Sequence, residues 1–186
     1  VPTVNFVRSN VSTQGSIEKL GFTNWIDSLS ENTSLFNVMR LQGAWDWYSV
    51  DSVTGAPLYI PYVLNYFYRW PFIVFSLVLP ALALFALIFR EKSKGALYKS
   101  FSLMFILGVF LGAGTHLPTG TIFRFLLDKI PFLSLFRSPW YIFTPIVVVS
   151  YAILIGYLAD LLKGIVSQKV LNIMAAAFVI GNILYC

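Results

Sequence analysis

THLPTGTIFRFLLDKIPFLSLFRSPWYIFTPIVVVSYAILIGY, residues Thr115 to Tyr157, is the stretch that decides how this chain folds. It holds the lone histidine, then a segment bounded by Pro118 and Pro131, then an Arg-Ser-Pro-Trp-Tyr junction that runs directly into a long apolar run. Pro118-Thr119-Gly120 offers a helix start with Thr119 as a cap. Ile122, Phe123, Phe125, Leu126, Leu127 and Ile130 make most of the helix circumference apolar. Thr121, Arg124 and Asp128 fall on one narrow polar strip. Arg124 and Asp128, four apart, can pair for a few tenths of a kcal/mol if exposed. The segment is too short to cross a bilayer, so the expectation is an amphipathic helix lying in the membrane interface or packing beneath the outer face of the bundle. Beyond it, Pro139 suits the first turn of a helix, and the apolar run it starts is long enough to cross.

Outward from this stretch the same character recurs. The expected spans are 70–89, 97–113, 140–162 and 170–186, with a re-entrant or interfacial outer loop at 114–139. A run of about 20 apolar residues matches the roughly 30 Å hydrocarbon core. Pro80 should kink the first span, which a membrane helix tolerates. Gly108 and Gly112 form a Gly-x-x-x-Gly pair that permits close helix approach. The composition agrees: 58% of residues are hydrophobic and 11% charged, where a soluble domain carries about a quarter charged. The fold class expected is therefore all-α and integral to the membrane: four transmembrane helices, one interfacial helix and an N-terminal extracytoplasmic arm, residues 1–69, ahead of a membrane region, 70–186.

The net charge of +5 belongs to topology rather than to nucleic acid. Arg90, Lys92, Lys94 and Lys99 face one anion, Glu91, between the first two spans, and Lys163 and Lys169 bracket the last connection. Loops 90–96 and 163–169 are expected to be cytoplasmic, and 1–69 and 114–139 extracytoplasmic, in a multi-pass protein of the plasma membrane. The single cysteine, Cys186, rules out an intrachain disulfide. The chain opens on Val1-Pro2 and stops at Cys186 inside an apolar run, so the expectation is an internal piece of a longer polytopic protein whose remaining helices are its partners.

The arm is polar and mixed. Asn10-Val11-Ser12 and Asn32-Thr33-Ser34 match the glycosylation pattern. Short helices are expected within 16–29 and 33–41, the second capped by Ser30 or Asn32 and stopped at Gly43. Residues 51–57 have turn chemistry. Aromatics then accumulate, Trp45, Trp47 and Tyr48 among them, either as an interfacial belt or as a sugar-stacking surface. Asp46 and Asp51 lie in their midst, as solvated loop carboxylates or as a base or metal ligand.

Arg137 stands between apolar neighbours just before a span. Such a cation either reaches lipid phosphates or binds an anion inside the protein, and its planar fork suits a phosphate. His116 is structural, or makes a phosphate contact or proton transfer. No metal-ligand cluster, nucleophile motif, phosphate loop or dinucleotide fingerprint appears in the sequence.

Several short runs carry a resemblance: RLQGAWDWY at 40–48, PYVLNYFYRWP at 61–71, GAGTHLPTG at 112–120 and IPFLSLFRSPWYIFTPIVV at 130–148. They resemble parts of polytopic glycosyltransferases of the GT-C type, including the arabinofuranosyltransferase-like group and related lipid-linked-sugar enzymes. The resemblance implies transfer of a sugar from a polyprenyl-phosphate donor at the outer membrane face. Arg137, His116 and Arg124 would then contact the donor phosphate, and Trp140, Tyr141, Trp45 and Trp47 would line the lipid or sugar path. Its catalytic acidic residue belongs to an early outer loop expected upstream of this chain, so no residue here inherits that role. No cofactor is implied, and a divalent cation is left open. The rival readings are a transporter or flippase of lipid-linked sugars and a non-catalytic membrane scaffold.

Overall fold

The computed structural model describes residues 21–59, 67–88, 95–136 and 138–185. They are helical, and among the described residues no β-strand forms beyond one isolated antiparallel bridge, Val50 to Pro57. Residues 21–29 form α1, followed by α2 (Leu35–Met39), α3 (Trp70–Ser76), α4 (Val78–Ile88), α5 (Ala96–Gly112), α6 (Gly120–Lys129), α7 (Pro139–Leu162) and α8 (Gln168–Tyr185). Short 3-10 turns cover Trp45–Tyr48 and Pro131–Phe136.

Two helical runs are long and apolar enough to cross a membrane: Trp70–Ile88, 19 residues, and α7, 24 residues. At 1.5 Å per residue they extend about 28 and 36 Å. Helix α5 is shorter, at 17 residues. Proline shapes both long runs. Pro139 occupies the first turn of α7, where its missing N–H costs nothing. Pro80 cannot donate to the carbonyl of Ser76, and the first run breaks at Leu77 between α3 and α4. The Ser76 hydroxyl donates back to the Ile73 carbonyl at 2.7 Å beside that break.

Helix α7 is the centre of the bundle and packs against α5 and α4. Val147, Tyr151, Leu154 and Leu158, all buried, recur at helical spacing and form its inward stripe. Tyr151 meets Phe105 of α5 with ring centroids 5.3 Å apart. The Tyr98 hydroxyl donates to the Ala86 carbonyl at 2.6 Å and ties α5 to α4. The glycine pair of α5 serves two neighbours. A methyl on Gly108 would lie 3.0 Å from Val147, and one on Gly112 would lie 3.2 Å from Val38 of α2.

The outward faces are apolar as well. Phe85, Ile88, Leu103, Ile106, Val148 and Val149 are exposed. Only 17% of the first long run's apolar window and 33% of α7's are buried. The core helix of a soluble protein would be mostly covered, and soluble monomers rarely show contiguous apolar patches beyond a few hundred Å².

The described part of the arm packs closely against the long helices. Ser34, rather than Ser30 or Asn32, caps α2 by accepting the Asn37 N–H at 3.2 Å. Leu41, with φ of 59°, ends that turn ahead of Gly43. Helix α2 then packs against both α5 and α7. The Thr33 hydroxyl donates to the Ala113 carbonyl at 2.7 Å, and the Tyr151 hydroxyl donates to the Met39 carbonyl at 2.6 Å. Tyr151 lies about 18 Å along α7 from its start, so the arm reaches well into the bundle. Arg40 at the end of α2 donates through Nε to Ser76 Oγ at 2.7 Å, beside the break in the first long run, and stacks its guanidinium 5.0 Å from the Phe36 ring centroid.

Candidate functional site

Three close approaches fix the mouth of α7. Gly114 takes φ of 55° where α5 ends, and a methyl there would lie 2.5 Å from Ser30 Oγ and 2.9 Å from Pro139. Only glycine fits that left-handed, crowded position. Gly43 lies under the Trp140 ring, and a methyl on it would approach that ring to 2.6 Å. Ser30 Oγ accepts the Thr115 N–H at 3.3 Å. The start of α7 is thus clamped between the arm and the end of α5.

From this mouth a shallow groove of about 460 Å³ runs along α7, lined by Trp140, Tyr141, Thr144, Pro145, Val148 and Val149. Its lower part is apolar and lies on the face of a helix long enough to span. At its upper end the Tyr141 hydroxyl donates to Asp46 Oδ1 at 2.7 Å. That contact joins the 3-10 turn Trp45–Tyr48 to α7 and sets a carboxylate beside one residue of the groove lining. Around it, the ring centroids of Trp45 and Tyr59 are 6.0 Å apart at 84°, and Trp47 and Tyr48 both stack on Phe67 at 5.5 and 5.1 Å.

The expected site residues divide accordingly. Tyr141 lines the groove and meets Asp46, whereas Trp45 pairs with Tyr59 and is not among the lining residues. Trp140, 6% exposed, is largely committed to Gly43, and Trp47 to Phe67 and the core. His116 is on the connection between α5 and α6. In its neutral form Nδ1–H donates to the Leu117 carbonyl at 2.6 Å, leaving Nε2 as the acceptor nitrogen. The carbonyl of His116 accepts the Gly120 N–H at 2.7 Å. Arg124 pairs through Nη2 with Asp27 of α1 at 3.0 Å, a bridge the sequence did not reveal. Thr119 holds the cap position of α6 but in helical backbone geometry, and its hydroxyl makes no cap hydrogen bond. Arg137, and the sequon at Asn10, lie outside the described residues. No group of three or more His, Cys, Asp or Glu side chains that could hold a metal ion occurs among the described residues.

Asp51, the other carboxylate in the aromatic region, is used by its own turn. Oδ1 accepts the Val53 N–H at 2.9 Å, the Thr54 N–H at 2.7 Å and the Thr54 hydroxyl at 2.9 Å. The Thr54 N–H, then its hydroxyl, then the Val53 N–H hold the Asp51 carboxyl below the ordinary 3.8. Because the folded value is the lower one, the gain to the turn is fully present above the ordinary carboxylate value and is lost as pH falls through the depressed value. The Thr54 amide resonance is expected to titrate with a midpoint below 3.8, and Asp51→Asn should abolish that titration. A midpoint at or above the ordinary value would contradict the turn's hydrogen bonding.

Asp46 is the residue that sequence reading undervalued. Tyr141 stands 95 positions away, and no local pattern announces that pairing. The chain matches no protein-family model, no curated protein sequence and no solved structure.

Proposed function

We propose that the chain is the outer-face and membrane portion of a glycosyltransferase that takes a sugar from a polyprenyl-phosphate-linked donor. In this reading α3–α4, α5, α7 and α8 are four membrane spans, and α6 lies in the interface with Ile122 and Phe125 toward lipid. Residues 1–69 and 114–139 share the extracytoplasmic side of the plasma membrane, and loops 90–96 and 163–169 the cytoplasmic side. The observation that carries the reading is the groove on α7. An apolar track along a spanning helix, with Tyr141 in its lining and Asp46 bonded to the Tyr141 hydroxyl, suits a ligand with a hydrocarbon tail and a polyhydroxylated head.

Arg137, two positions before α7 in sequence, is assigned the donor phosphate. A guanidinium at the donor would stabilise the charge that develops on phosphate as the glycosidic bond breaks. His116 and Arg124 stand as its helpers, Arg124 at the expense of its pairing with Asp27.

The transporter reading draws on one observation, the interruption of the first long run at Leu77 beside Arg40. Transporters of that design use paired broken helices, and α7 continues unbroken through Pro145, which favours the enzyme.

Filling the groove tests the reading. Val148→Trp and Val149→Trp should each lower sugar transfer by about tenfold or more, or ~1.4 kcal/mol in the barrier. Leu103→Trp, on an exposed position of α5, should leave it unchanged. Equal transfer by all three variants and wild type would remove the groove from the donor path.

A further inference from the structure

The turn Trp45–Tyr48 places one carboxylate between two tryptophans, and the structure treats the two differently. Trp47 and Tyr48 both have a ring face against Phe67. Trp45 meets Tyr59 edge to face at 84°, so each of these rings keeps at least one face clear of the other. Tyr59 is 58% exposed. Among the described residues, the Asp46 carboxylate accepts from Tyr141 alone, through Oδ1 at 2.7 Å. A carboxylate has about four lone-pair sites, so Oδ2 and part of Oδ1 remain to accept further hydrogen bonds. The Tyr141 hydroxyl fixes the direction in which they point.

This pairing of groups selects a ligand by chemistry. A phosphate would be repelled by Asp46. A purely apolar chain would leave the carboxylate without a partner. A divalent cation bound by side chains would want further carboxylates or imidazoles, and no group of three or more His, Cys, Asp or Glu gathers among the described residues. A sugar ring meets both requirements: it has hydroxyl donors for the carboxylate and a C–H face for an aromatic ring.

We propose that Trp45, Asp46 and Tyr59, with Tyr141 as positioning residue, form a subsite for an uncharged monosaccharide ring bearing adjacent hydroxyls. The proposal rests on the lipid-linked-sugar reading and adds where the sugar sits. Asp46 accepts two hydroxyl hydrogens, Trp45 or Tyr59 covers the C–H face, and Tyr141 keeps the carboxylate aimed. The phosphate and tail then lie away from Asp46, toward α7.

The test uses the intact protein in lipid nanodiscs and saturation-transfer NMR with the methyl glycosides of glucose, mannose, galactose and arabinose. At least one glycoside should bind saturably. Asp46→Asn, which keeps an oxygen for Tyr141 but removes the charge, should weaken that binding about tenfold, since bonds to a charged acceptor are roughly twice as strong as neutral ones. Trp45→Leu should weaken it as well. Tyr141→Phe should weaken it while lowering the thermal unfolding midpoint by no more than about 4 °C, which separates positioning from scaffolding. Binding by none of the four glycosides, or equal binding by wild type, Asp46→Asn and Trp45→Leu, would overturn the subsite. Glycoside binding without sugar transfer would keep the subsite and refute the enzyme. Transfer unaffected by Asp46→Asn, without glycoside binding, would do the reverse.

Discussion

Trp140→Ala is expected to destabilise the protein by about 3 kcal/mol or more. Trp140 is 6% exposed and fills the space above Gly43, where even a methyl group would come within 2.6 Å of its ring. Truncation therefore leaves a hole whose floor is bare backbone. Gly43 has no side chain to move into it. The neighbouring Pro139 is already pressed against Gly114, so the helix start cannot settle downward without collision. The loss falls mainly on dispersion contacts, which supply much of the packing energy between helices in a membrane setting. Chemical unfolding in detergent micelles would measure it, with Tyr141→Phe alongside. That second change removes one exposed hydrogen bond and should cost no more than about 1 kcal/mol. A Trp140→Ala cost no larger than that of Tyr141→Phe would mean that the arm does not clamp the start of α7.

The second large effect concerns chemistry. Arg137→Ala should reduce sugar transfer by about 10²–10³-fold, the range seen when one preorganised group facing developing negative charge is lost. Arg137→Lys should fall between, because an ammonium keeps the charge and loses the two-pronged fork. Initial rates in proteoliposomes would give both numbers, and membrane insertion of each variant would be checked by protease protection. If Arg137 only anchors the helix to lipid phosphates, Lys should serve as well as Arg, and the Ala variant should alter insertion while leaving turnover per inserted molecule intact.

The long helices were legible because their signal is local. Helix α7 was expected at 140–162 and runs Pro139–Leu162, and α5 was expected at 97–113 and runs Ala96–Gly112. An apolar run bounded by proline, glycine or charge needs no tertiary information to be found. The kink from Pro80 and the close approach at Gly108 follow from the same local chemistry. Helix α2 was less legible. Its five residues are too few for periodicity to show which face is buried. Its place between α5 and α7 depends on contacts such as Thr33 to Ala113, 80 positions apart. The site was legible in the same uneven way. Tyr141 and Trp45 stood out as aromatics near a span, and Asp46 as a solvated carboxylate, a base or a metal ligand, but its partner Tyr141 emerged only on folding. Arg124 faced Asp128 on a helical wheel, whereas the fold brings it to Asp27 on another element.

The most direct test of the central claim is transfer of a radiolabelled sugar from a panel of polyprenyl-phosphate donors by the intact wild-type protein in liposomes. The account predicts a labelled glycoside product and released polyprenyl phosphate from at least one donor. Movement of intact donor across the bilayer, with no bond broken in any of them, would contradict it and make the α7 groove part of a transport path.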